Sequence, residues 1–133
     1  MTDIVRLPIA AFYAGLLGLL LIALSIAVIR VRRRESVALL DGGFPDLIRA
    51  MRAHGNFVEY APIALLFMAL LELNGAPAAA LHGLGAVLLG GRLAHAYAIT
   101  YSDLRARVAG MIATFTVLGL GSVGLIAQSL FGR

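Results

Sequence analysis

The sequence predicts an all-α membrane protein, a four-transmembrane-helix bundle, on three observations. Of 133 residues, 61% are hydrophobic and only 14% are charged. A soluble domain is about 45–50% apolar and about 25% charged, and so short a chain has too much surface to hide that excess inside one globule. The apolar residues also fall into four long segments, and the mean hydropathy is +0.94. Each segment is near or above the ~20 residues that a helix needs to cross the hydrocarbon. Helix is the natural choice for such spans, because every backbone polar group then bonds within its own segment. A soluble monomer and a disordered chain are both excluded.

The four helices are expected at 7–31, 46–73, 76–100 and 104–131, in a single domain without internal repeats. The first is uncharged from Leu7 to Ile29, and Arg30-Val31-Arg32-Arg33-Arg34 follows as a stop-transfer flank. It therefore reads as a retained span rather than a signal peptide. Asp41-Gly42-Gly43-Phe44-Pro45-Asp46 breaks the chain, with Asp46 as the expected N-cap of helix two. Pro62 is expected to kink that helix. Asn74-Gly75 ends it, and Pro77 stands near the start of helix three.

The net charge of +4 comes from eleven arginines and no lysine. The arginines gather at the ends of apolar runs, so the basic charge marks membrane topology and calls for no nucleic acid partner. Arg30, Arg32, Arg33, Arg34, Arg49 and Arg52 follow the first span, and Arg105 and Arg107 precede the fourth. The connection at Asn74-Gly75-Ala76-Pro77 has none. Loops one and three are then cytoplasmic and both termini lie outside, in a multi-pass protein. Cysteine is absent, which excludes disulfides, a thiol nucleophile from the chain and a Cys-ligated metal. His54, His82 and His95 have no H-x-x-x-H spacing, so no metal site is expected.

Helix two carries the chemistry. At about 100° per residue, Arg49, Arg52, Asn56, Glu59 and Tyr60 form one polar stripe. Arginine forks pair with carboxylates and a carboxylate takes an ammonium, so this face suits a small zwitterion. The plainer reading is an Arg52–Glu59 ion-pair network at the membrane surface. Helix three adds Arg92 and His95, one turn apart on the same face. Ionisable groups inside a span usually face the bundle interior. Arg92 pairing with a glutamate of helix two, and His95 as a packing residue, are the structural alternatives. Two polar stripes are more than one four-helix subunit can internalise, so a cyclic oligomer is expected. Gly119-Leu120-Gly121-Ser122-Val123-Gly124 matches a dinucleotide-binding pattern but lies inside a span, without the strand that pattern needs. Close helix packing is the better reading, as for Ala11 with Gly15 and for Gly83, Gly85, Gly90 and Gly91.

Arg52-Ala53-His54-Gly55-Asn56-Phe57-Val58-Glu59, then Pro62, and a helix later Gly91-Arg92-Leu93-Ala94-His95, resemble the MAPEG family, membrane-associated proteins in eicosanoid and glutathione metabolism. The resemblance covers nearly the whole chain and is nearest to the small bacterial branch, which implies the bacterial inner membrane. It implies a homotrimer with glutathione, the cosubstrate, at each subunit interface near the cytoplasmic side, and lipophilic small molecules arriving from the lipid. Carried over by position, Arg52, Asn56, Glu59 and His95 match glutathione-contacting residues. Arg30 matches an arginine for the carboxylate end, and Arg49 joins the same stripe. Arg107 matches the arginine that stabilises the thiolate, across a one-residue gap that leaves Arg105 as the fallback.

The departures are specific. Where prostaglandin E synthase-like members carry arginine, tyrosine, serine and tyrosine, this chain has Gly55, Ile99, Val108 and Met111. The implied activity is that of a microsomal-type glutathione transferase or peroxidase: a guanidinium favours the thiolate, which attacks a lipophilic electrophile or hydroperoxide. The alternative is a non-enzymatic membrane scaffold or binding protein of the same fold. A small multidrug transporter would need an acid deep in a span, whereas Glu59 and Glu72 lie toward the ends of helix two.

Overall fold

The computed structural model describes residues 6–132. Four α-helices follow one another: α1 (Pro8–Glu35), α2 (Pro45–Leu73), α3 (Ala78–Tyr101) and α4 (Leu104–Phe131). At about 1.5 Å per residue, even α3 is roughly 36 Å long, enough for a ~30 Å hydrocarbon layer. By length and apolarity together, α1, α2 and α4 are candidate membrane spans. The exception, α3, is long enough, but Arg92 and two histidines dilute its apolar character. Arg92 and His95 are both turned into the protein and buried.

Two helices form the centre. Both α2 and α3 touch each other and both remaining helices, while α1 and α4 lie on opposite flanks without contact among the described residues. The core joins Tyr13 and Leu17 of α1, Phe57, Ala61, Ala64 and Met68 of α2, Leu88 of α3 and Val117 of α4. Large apolar side chains such as Phe12, Leu19, Phe115, Leu120 and Ile126 point outward. That exposure suits a chain whose solvent is lipid rather than water.

Small residues set the helix spacing at particular places. A Cβ on Gly110 would lie 2.6 Å from the Gly91 carbonyl oxygen and 2.9 Å from the His95 nitrogen, so α3 and α4 cross backbone against backbone. Gly85 makes room for the Tyr13 ring, and Gly121 and Gly124 meet Phe67 and Leu71 of α2. The dinucleotide-like pattern therefore lies within α4 and serves packing, except that Gly119 faces open space. The packing role expected of Gly15, Gly83 and Gly90 is not seen within the chain, since nothing lies within 4 Å of a Cβ there.

Several helix ends differ from expectation. α1 runs to Glu35 rather than stopping at 31, because arginine is a good helix former and Arg32, Arg33 and Arg34 complement the negative end of the helix dipole. Ser36 then closes it in the left-handed conformation, with φ 56°. Asp46 is not the N-cap of α2. Phe44 holds that position, Pro45 opens the helix, and Asp46 in the first turn bonds Arg34 at 2.8 Å. α2 continues as one helix through Pro62. α3 begins at Ala78 rather than 76, because Pro77 sits at its N-cap with extended backbone.

The connection between α1 and α2 is tied down by the arginines that precede it. Arg32 Nη1 donates to the Leu40 carbonyl at 2.8 Å, and Arg34 bonds both Glu35 and Asp46. Gly42 and Gly43, both at positive φ, turn the chain back toward α2. This connection and the short one at Ser102 and Asp103 lie at the same end of the helices, which is where the arginines gather.

Candidate functional site

The α2 stripe keeps its register in space. Arg52, Asn56 and Glu59 are spaced at i, i+4 and i+7, and all three line one cavity of about 210 Å³. His95 and Ile99, one turn apart on α3, form the next wall, and Arg107 of α4 completes it. Five sequence-predicted site residues from three helices thus converge on one small space. A larger cavity of about 480 Å³ adjoins it, and Arg52, Ile99 and Arg107 belong to both. Arg49 lines the larger one, beside Ile48, Ser102 and Leu104.

Local structure explains why Arg107 reaches the site. Ser102 turns the chain with φ 58°, and Asp103 follows as the N-cap of α4. The Asp103 carboxylate accepts from the Ala106 N–H at 3.1 Å. That bond fixes the start of α4 and places Arg107 in its first turn, facing α2 and α3. Arg105 lines neither cavity. The sequence does carry a signal for this cap, an Asp just ahead of an apolar run.

The charges at the site are not mutually satisfied. Among the described residues the ion pairs are Arg34 with Glu35 and Arg34 with Asp46. The expected alternative of an Arg52–Glu59 network is therefore not formed. Both side chains are exposed toward the cavity, with Arg107 nearby. Two guanidiniums and one carboxylate give the space a positive balance with one negative point. Such a site suits a molecule bearing carboxylates and an ammonium group.

Arg92 does not pair with a glutamate either. It is 2% exposed, and its Nη1 donates to the Asn56 side-chain oxygen at 2.6 Å. Its Nη2 points toward the Gly110 carbonyl at 3.4 Å and the Met111 sulfur at 3.7 Å. Nothing in the residue spacing shows which α2 residue lies opposite Arg92, so this link emerges only from the fold. His95, 3% exposed, is buried beside it.

Arg30 stands apart. It is exposed near the end of α1 and lines neither cavity. His54 is partly buried and lines neither. Tyr60 packs edge-on against Phe115 instead of entering the site, with ring centroids 5.5 Å apart. Among the described residues, no three His, Asp or Glu side chains converge as a metal site.

The chain is similar to known proteins over most of its length. The sequence model of the MAPEG family matches residues 10–127. The chain is 46% identical over 110 residues to the inner membrane protein YecN of Escherichia coli K12, covering 83% of this chain and 84% of that protein. The YecN protein of Escherichia coli O6:H1 matches with the same identity and coverage.

Proposed function

Because the chain belongs to the MAPEG family, we propose that it is an integral inner-membrane protein that binds glutathione and activates its thiol for attack on lipophilic electrophiles or hydroperoxides. The carrying observation is the convergence of Arg52, Asn56, Glu59, His95 and Arg107 on one cavity at the arginine-rich end of the helices. Glutathione offers two carboxylates, one ammonium and a thiol. Arg52 and Arg49 take the carboxylates, Glu59 takes the ammonium, and Arg107 favours the thiolate over the thiol. The sulfur does the chemistry, and the protein supplies position and electrostatics.

In this reading all four helices cross the membrane, with the α1–α2 and α3–α4 connections in the cytoplasm and both termini outside. The chain acts as a homotrimer. Within one chain Arg30 is exposed and lines none of the cavities that hold Arg49, Arg52 and Arg107. A neighbouring subunit's copy of this arginine would close the site.

One observation favours a second reading, a binding protein of the same fold without catalysis. Met111 stands where related enzymes carry a tyrosine, and its sulfur is turned toward Arg92, so it offers the thiol no hydroxyl. Two measurements on the purified protein separate the readings. Isothermal titration with glutathione is expected to show binding in both, while conjugation of a chloronitrobenzene is expected only of the enzyme. A flat titration overturns both.

A further inference from the structure

We propose that Arg92 is a positioning residue that fixes the Asn56 amide as a hydrogen-bond donor toward the cavity, so that the site selects a ligand presenting an anionic oxygen or sulfur at that point. The inference rests on the glutathione reading for the identity of the ligand, and on geometry for the link between the two side chains.

An asparagine amide is ambiguous, because it accepts at one end and donates at the other. Arginine removes the ambiguity, since it has five donors and no acceptor. With Arg92 Nη1 2.6 Å away, the end of Asn56 that faces Arg92 must be the oxygen. The Nδ2 end makes no hydrogen bond among the described residues, and Asn56 lines the cavity. Its two N–H groups are therefore available to a ligand. A residue that looks adaptable in the sequence is held in one role.

The charge behind the amide strengthens that role. No carboxylate lies within ion-pair distance of Arg92 among the described residues, and its Nε is buried without a partner. A guanidinium on the carbonyl side polarises the amide and makes its N–H groups better donors, an effect that grows in a low-dielectric interior. The close crossing at Gly91 and Gly110 lets Arg92 sit at the meeting point of α2, α3 and α4.

The test uses the full chain in detergent, with thermal unfolding measured without glutathione and titration measured with it. Asn56→Asp keeps an acceptor for Arg92 but has no N–H. It is expected to melt at or above the wild-type temperature and to bind glutathione at least tenfold more weakly. Asn56→Leu loses both functions and is expected to melt lower. Arg92→Gln, whose own amide both donates and accepts, releases the orientation of Asn56 and is expected to bind at least tenfold more weakly. Arg92→Lys, which only donates, is expected to recover most of that loss.

Wild-type affinity in Arg92→Gln or Asn56→Asp would overturn the proposal, as would an Asn56→Asp protein as unstable as Asn56→Leu. A wild-type protein that gives a flat isotherm removes glutathione as the ligand. The unfolding comparison then still decides the Arg92–Asn56 link, because no ligand is present in it.

Discussion

The two ends of the bundle both place polar side chains among membrane helices, and they treat them in opposite ways. At the end formed by the α2–α3 connection, Glu72 of α2 accepts the backbone N–H groups of Ile9 at 3.0 Å and Ala10 at 2.8 Å. The start of α1 has no side-chain cap of its own, so Glu72 supplies one from another helix. Nearby, the Tyr13 hydroxyl donates to the His82 carbonyl at 3.0 Å. At the arginine-rich end the connection is also tied down, by Arg34 with Glu35 and Asp46, but beside it Arg52, Glu59 and Arg107 face a shared cavity without pairing. Polar groups that satisfy one another hold helices together. Polar groups that converge and stay unpaired are poised for a ligand.

Space alone does not distinguish the ends. An apolar crevice of about 410 Å³ opens toward the Glu72 end, with Ala80, Gly83, Leu84, Leu120 and Gly124 in its walls. It is comparable in size to the larger cavity beside Arg107 and bigger than the smaller one, but its lining offers almost nothing to hydrogen-bond. A binding site needs a few convergent polar groups as well as volume.

The sharpest way to break this contrast is to remove one charge from the unpaired end. Arg52→Ala and Glu59→Ala are each expected to weaken glutathione binding by roughly 2–5 kcal/mol, because a bound partner charge is left desolvated and alone. Isothermal titration reads the loss. His54→Ala should leave binding nearly unchanged, and equal losses for all three variants would mean that the stripe is not the site.

A somewhat smaller effect is expected at Arg107. A nearby guanidinium lowers an acidic group's pKa by about 1–3 units, so Arg107→Leu should raise the thiol pKa of bound glutathione by that order. The sign follows from charge: losing a cation disfavours the thiolate, so its ultraviolet absorbance fades near neutral pH and returns at higher pH. Arg105→Leu serves as the control, and a shift there instead would reassign the role.

The paired end should respond in stability and not in binding. Glu72→Ala leaves the Ile9 and Ala10 N–H groups without their acceptor, at a cost of about 1–3 kcal/mol. Differential scanning in detergent should show the loss while glutathione titration stays unchanged. A loss of binding would mean that the two ends are coupled. Asp103→Ala is the mildest test. Losing the α4 cap costs about 1 kcal/mol and loosens the turn that presents Arg107, so the thiol titration should shift slightly toward that of Arg107→Leu.

Topology can be probed separately. A cysteine placed at Ala78 and another at Ser36 should label from opposite faces of the membrane. Labelling of both from one face would remove the proposed orientation, and with it the contrast between a cytoplasmic and an external end.

Much of this was legible in the chain before folding, and the reason is the solvent. Long uncharged runs have one good solution in lipid, so helices at these four places follow from composition and length. The α2 stripe was equally legible, because a period of 3.6 residues brings Arg52, Asn56 and Glu59 to one face whatever the neighbours are. Helix periodicity carries no information between helices, and there the tertiary structure decided. It set Asn56 rather than a glutamate against Arg92, brought Arg107 rather than Arg105 to the cavity, and left Arg30 outside it. It also used Gly91 and Gly110 for a close crossing while leaving Gly83 and Gly90 open. Glu72 makes the same point: in the sequence it is an acid near a helix end, and only the packing of α1 against α2 turns it into a cap.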